Sequence, residues 1–197
     1  MDAEGVILKG EYLLEVAKLA GLFNRVFKAF YLGINGLASW EGSLRDRVKV
    51  LAGLDEDLFL EAARRLKVRR GFSKLTRDLR RVGWRIAVIT GGFDLLEGIL
   101  RKKGVEFDWY FSNKLLFDGG KLKGVEVRYK SKGEVARRLK SICDPDLTVA
   151  VGDGWNDIEM FEEADLAVGF RPKCVIRPFI DVEVRRARGL WRLLRLL

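Results

Sequence analysis

The sequence predicts an α/β fold: a parallel sheet with helices on both faces, and a separate helical block near its start. Three observations carry this. Short apolar runs rich in β-branched residues, Trp84–Ile89, Leu147–Val151 and Leu166–Phe170, alternate with helical patterns, as in sheets whose strands are buried on both sides. The stretch from Glu11 to Leu66 is helical in period, with no strand pattern inside it. A chain of 197 residues, 48% of them hydrophobic, buries a core of ordinary size without disulfide or metal staples.

Each element follows from local signals. Leu13, Leu14, Val16, Ala17 and Ala20 recur at helical spacing and Gly21 ends the first helix. A second helix is expected over Phe23–Leu32, a third from Ser39-x-x-x-Ser43 to Leu51, and a fourth near Glu56 behind an Asp55 cap. A helix over Lys74–Val82 stops at Gly83. The strand Trp84–Ile89 then stops at Thr90-Gly91-Gly92, and a helix over Asp94–Lys103 is closed by Gly104. Next come Phe107–Phe111, a hairpin around Asp118-Gly119-Gly120 and a helix over Lys132–Ser141. The strand Leu147–Val151 runs into an acidic, glycine-flanked turn with a helix behind it, and the strand Leu166–Phe170 follows. The last residues, Gly189–Leu197, are amphipathic and basic. Membrane-surface contact is one use for them; packing of the apolar side on the domain is the expected one.

Composition removes whole classes of chemistry. There is no histidine, so no Ser-His-Asp triad, Cys-His pair, imidazole zinc site or histidine base exists. What remains is carboxylates, lysines, hydroxyls, backbone amides and a hard metal ion held by oxygen. The two cysteines, Cys143 and Cys174, form no disulfide framework and are expected as small buried hydrophobes. The acidic opening Met1-Asp2-Ala3-Glu4 is unlike a signal peptide, and no apolar run reaches the ~18 residues of a spanning helix. A cytoplasmic protein is expected. Absence of Gln with abundant Arg, Glu and Lys suggests heat adaptation. The net charge of +9 is concentrated in Arg171–Leu197 and in Arg64–Arg70. Few aromatics interleave with these runs, so nucleic-acid binding is not expected as the main role.

Two strand ends are chemically loaded, and ligands of open parallel sheets sit outside the carboxyl ends of strands. Gly152-Asp153-Gly154-Trp155-Asn156-Asp157 sets two carboxylates four residues apart with an amide between. That pattern suits Mg²⁺ with substrate phosphate. Thr90-Gly91-Gly92 places a hydroxyl and glycine amides before a helix, a phosphate-binding arrangement. Lys132, opening a helix, carries a charge that can neutralise a phosphate. Asp2-Ala3-Glu4 puts two carboxylates on one face if the segment is extended, one to attack and one to shuttle a proton; otherwise it is a frayed end.

Taken in order, Asp2-x-Glu4, a helical insert, Thr90-Gly91, Lys132 and Gly152-Asp153-Gly154-x-Asn156-Asp157 resemble the haloacid dehalogenase superfamily over nearly the whole chain. Gly91-Gly92-Phe93-Asp94 and Ser43-Leu44-Arg45-Asp46-Arg47-Val48 are most similar to its phosphoserine phosphatases. The resemblance implies a Rossmann-like core from 1–8 and 71–197 and a helical cap from 9–70. It implies an Mg²⁺-dependent phosphomonoester hydrolase with an aspartyl-phosphate intermediate and a small phosphorylated amino acid, phosphoserine, as substrate.

In that implied scheme Asp2 is the nucleophile, and Glu4 is the acid and then the base. Thr90, the Gly91 amide and Lys132 hold phosphoryl oxygens, with Asn156 near the phosphate. Asp2, the Glu4 carbonyl and Asp153 bind the metal, with Asp157 in support. Glu11 meets the substrate ammonium, Arg47 meets its carboxylate, and Trp40 is a pocket wall. Two departures stand out: Glu4 replaces the usual Asp, and no apolar strand precedes Asp2 in the sequence. The alternative reading is therefore a catalytically impaired relative that binds phosphorylated ligands or a partner through Arg47, Lys132 and the basic C-terminal segment.

Overall fold

The computed structural model describes residues 1–197. Two short antiparallel strands, β1 (Leu8–Lys9) and β2 (Lys67–Val68), bracket four helices: α1 (Tyr12–Leu19), α2 (Phe23–Ile34), α3 (Trp40–Val50) and α4 (Glu56–Arg65). The expected helical block is therefore present. Ser39 caps α3 by accepting a hydrogen bond from the Gly42 amide at 3.1 Å. Asp55 stands at the N-cap of α4 but makes no cap bond; its carboxylate pairs with Lys121 at 2.6 Å instead.

Beyond the block run α5 (Phe72–Arg81), β3 (Ala87–Phe93), α6 (Leu95–Lys102), β4 (Trp109–Asp118), β5 (Lys121–Glu126) and α7 (Lys132–Cys143). Then come β6 (Val149–Gly152), α8 (Ile158–Glu162), β7 (Leu166–Phe170), β8 (Val182–Val184) and α9 (Ala187–Leu194). β3 pairs parallel with β4, which forms the expected hairpin with β5. β6, β7 and β8 are parallel throughout.

β3 departs from its expected limits at both ends. The Ile86 amide donates to the Asp108 side chain at 2.8 Å, which delays the strand. At the other end the chain continues through Thr90-Gly91-Gly92 with a register shift, so that Phe93 pairs with Asn113. The phosphate-loop candidate is thus an irregular strand end, not a strand-to-helix turn.

Side-chain alternation along the strands fills two cores. Val88, Val151 and Val168 enter the larger one, with residues of α5, α6 and α9. Ile89, Ala150 and Ala167 enter the other, with residues of α7 and α8. The larger core runs on into the helical block through Tyr12, Leu44 and Phe59. Ala187, Leu190 and Leu194 of α9 are buried, the expected packing of that amphipathic segment. The cysteines are not core residues: Cys143 is half-buried and Cys174 exposed, because each lies at an element end and not on an inward face.

The two three-stranded halves are joined by the first two residues. The Met1 nitrogen donates to the Ala87 carbonyl at 2.7 Å and the Ile89 amide donates to the Met1 carbonyl at 3.0 Å. On the other side the Asp2 amide donates to the Val151 carbonyl at 2.9 Å. Met1–Asp2 therefore occupies the centre of the sheet, so this terminus is not frayed. No helix is long and apolar enough to cross a membrane.

Candidate active site

Three neighbouring passes of the chain end at one place. The Met1–Asp2 segment delivers Asp2, β3 delivers Thr90 and Gly91, and β6 delivers Asp153. Asp2-Ala3-Glu4 is not one extended segment. After Asp2 the chain turns sharply, with the Leu8 amide donating to the Ala3 carbonyl at 2.8 Å and Gly5 at φ +78°. Gly5 is required twice over: a side chain there is strained, and its Cβ would fall 2.4 Å from Asp153 Oδ2. Arg69 Nη2 donates to the Gly5 carbonyl at 2.9 Å and holds the turn.

The turn separates the two N-terminal carboxylates by role. Asp2 Oδ1 accepts from the Ala3 amide at 2.7 Å and from Lys132 Nζ at 2.9 Å. Its other oxygen is left for the cavity. Glu4 swings aside, where its Oε1 accepts from the Tyr12 amide and its Oε2 lies over Gly92. Beneath them Asp157 is fully committed: Oδ1 takes Lys132 Nζ at 2.6 Å, and Oδ2 takes the Asp153 and Gly154 amides at 2.8 and 3.0 Å. Asp2, Asp153 and Asp157 are all buried, with carboxylate oxygens within 4.8 Å of one another. Like charges this close are stable only beside cations. Lys132, 3% exposed, supplies one. Asp157 and Asp2 keep its ammonium charged, raising its affinity for the proton against the opposing effect of burial.

Above this floor a cavity of about 50 Å³ is lined by Asp2, Glu4, Glu11, Trp40, Arg47, Thr90, Gly91, Asp153 and Asn156. Nine of the eleven expected site residues thus share one cavity, and Lys132 and Asp157 lie directly below it. The Arg47 side chain is fixed by a bond from Nε to the Ser43 carbonyl at 3.1 Å and by the Phe30 ring 5.7 Å away.

Lys173 was missed by sequence reasoning. It also lines the cavity, with Nζ 2.9 Å from Asp153 Oδ2. It follows β7, so the strand-end rule that marked the other two loops was the available signal.

Burial raises Asp2, Glu4 and Glu11 each to about 7, and Asp153 to about 6 against the pull of Lys173. For Glu4 and Glu11 the folded value lies above the unfolded one of about 4.3, so the folded state binds protons more tightly. Their stabilisation is complete below the unfolded value and lost as pH rises through 7. In chelator, the chain is expected to melt several degrees higher at pH 5 than at pH 8. Glu11→Gln should flatten that slope; a flat wild-type profile would contradict the burial of these groups.

The donor set fits a divalent cation. Three carboxylates converge, Asp153 has an oxygen not taken by Lys173, and Asp2 has one facing the cavity. Oxygen-only ligands of this charge suit a hard ion. Residues 1–165 match the family described as haloacid dehalogenase-like hydrolase. A phosphoserine phosphatase of Methanocaldococcus jannaschii is 32% identical over 191 residues, covering 94% of this chain and 90% of that protein. One from Archaeoglobus fulgidus is 30% identical over 99% of this chain, which spans only 59% of that longer protein. A solved phosphoserine phosphatase described as a phospho-aspartyl intermediate analogue superposes with a TM-score of 0.91 at 32% identity, over 98% of this chain and 95% of that one. The chain belongs to the haloacid dehalogenase-like hydrolases, as a phosphatase of the phosphoserine phosphatase-like kind.

Proposed function

We propose that the chain hydrolyses phosphoserine to serine and phosphate, with Mg²⁺ as cofactor and an aspartyl-phosphate on Asp2 as intermediate. The observation that carries this is the uncommitted Asp2 oxygen in a buried cavity whose other groups suit a phosphate and a zwitterion. In the first step Asp2 attacks phosphorus, the bond from phosphorus to the alkyl oxygen breaks, and Glu4 gives its proton to the departing alkoxide. Burial raises Glu4 to about 7, so that near neutrality it can both give and take a proton, as an acid that later acts as a base requires. In the second step water attacks phosphorus, Glu4 takes a proton from it, and the Asp2 carboxylate is regenerated as phosphate leaves.

Thr90, the Gly91 amide and Asn156 hold phosphoryl oxygens, and Lys132 aligns Asp2 and favours its ionised form against the effect of burial. The metal would be held by Asp2, the Glu4 backbone carbonyl and Asp153, with Asp157 fixing the loop. When bound, the ion neutralises the phosphoryl oxygens and the charge they meet at Asp2. The segment 9–70 acts as a cap on a core formed by 1–8 and 71–197. From the cap, Glu11 reads the substrate ammonium, Arg47 its carboxylate, and Trp40 walls the pocket. Anchoring of Asp2 between β3 and β6 supports this reading over that of an impaired phosphate binder.

Phosphate release from phosphoserine in Mg²⁺ is the test. Arg47→Leu removes a charge-assisted contact, worth about 1.5–3 kcal/mol. It should raise KM for phosphoserine tenfold or more and leave an aryl phosphate within about twofold. Turnover of the aryl phosphate alone would keep the phosphatase and discard phosphoserine.

A further inference from the structure

The cavity below the helical block holds room for only a few waters, so a substrate enters only when the helices lift. One contact between the block and the phosphate loop stands apart from the reacting groups. Trp40, the first residue of α3, stacks on Tyr129 with ring centroids 6.0 Å apart and planes 10° from parallel. Tyr129 belongs to the segment that leads into α7 and is buried. Its hydroxyl donates to the Thr90 carbonyl, in the loop whose side chain and amide face the cavity. The same indole closes over the next residue. A Cβ on Gly91 would lie 2.8 Å from Trp40 Nε1, so only glycine lets the ring come down this far.

We infer that the Trp40–Tyr129 stack is the clasp that seats the helical block on the phosphate loop, and that Tyr129 is a positioning residue acting on Thr90 through its hydroxyl. An offset aromatic pair of this kind supplies a stabilisation beyond simple burial. Here it acts only in the closed arrangement, because the two rings come from parts that separate on opening. The hydroxyl bond ties the same event to the loop. When Trp40 is down, the Tyr129 ring is pinned and the Thr90 carbonyl is held; when it lifts, the ring is free to turn. The clasp stands on geometry alone, whereas its effect on turnover rests on the phosphatase reading above.

Hydrogen exchange on the ligand-free full chain tests the clasp without reference to activity. Trp40→Leu, Tyr129→Leu and the double variant form a cycle, read at the amides of α3, whose exchange reports the opening equilibrium. Each single change is expected to speed exchange by about two- to twelvefold, and the double variant no more than the faster single one. Multiplicative effects, or singles indistinguishable from wild type, would overturn the clasp. Trp40→Phe keeps a ring and covers the case in which a leucine variant fails to fold; it should retain most of the protection.

Tyr129→Phe separates the two halves of the inference. It should leave exchange within about twofold of wild type and raise KM for a phosphomonoester severalfold at nearly unchanged kcat. Unchanged KM and kcat would remove the positioning role. A coupled exchange cycle in a chain that turns over no phosphomonoester would uphold the clasp and fell the functional reading instead.

Discussion

Asp2→Asn is expected to lower phosphate release by at least about a thousandfold while leaving the fold intact. The amide has the shape of the acid but cannot accept phosphorus as a carboxylate does. Burial already disfavours the charged form of Asp2, which is raised to about 7. The neutral isostere should therefore melt at the same temperature or higher. Loss of turnover together with unchanged melting separates a nucleophile from a structural residue. Residual turnover within tenfold of wild type would assign the attack to another group. The measurement is steady-state phosphate release with saturating Mg²⁺, beside a thermal melt of each protein.

Lys132→Met should be the most damaging single change to both stability and activity. The ammonium lies 2.6 Å from Asp157 and 2.9 Å from Asp2, and the three side chains are almost completely buried. Removing it leaves two carboxylates without their cation, a change that costs about 3–5 kcal/mol in buried pairs. Adding Asp157→Asn removes one of those orphaned charges and should recover part of the stability. It should not recover turnover, since Asp2 still lacks its partner. Chemical denaturation gives the first half of this result and phosphate release the second. A double variant no more stable than Lys132→Met would mean that Asp157 depends on the Asp153 and Gly154 amides and not on the lysine.

The parts of the fold that the sequence displays are those decided by side chains close together in the chain. Leu166–Phe170 reads as a strand, and is one, because its apolar residues serve both cores. The hairpin at Gly119–Gly120 follows from turn chemistry. The start of β3 was misread because the Ile86 amide finds its partner in Asp108, 22 residues on. Asp55 looked like a cap because it sits where caps sit, yet the distant Lys121 takes its carboxylate.

The site divides in the same way. Asp153 and Asp157 are legible because their loop holds its own hydrogen bonds, from the Asp153 and Gly154 amides to Asp157. The burial of Asp2 is not, since it depends on a bond from Met1 to Ala87, 86 positions away. Lys173 stands beyond a strand end that the strand-end rule marks, whereas Tyr129 acts through a ring stack on Trp40 and a hydroxyl bond to Thr90 that no local pattern announces.

The join at Met1–Asp2 gives the sheet a seam. The Ile89 amide bonds to it from one half, and the Asp2 amide reaches from it to the Val151 carbonyl of the other. A phosphorylated ligand that touches Thr90 on one half and Asn156 on the other is then more than a substrate. It rivets the two halves across that join. Filling the active site should therefore slow solvent exchange at the amides of Ile89 and Asp2, whose bonds make that join.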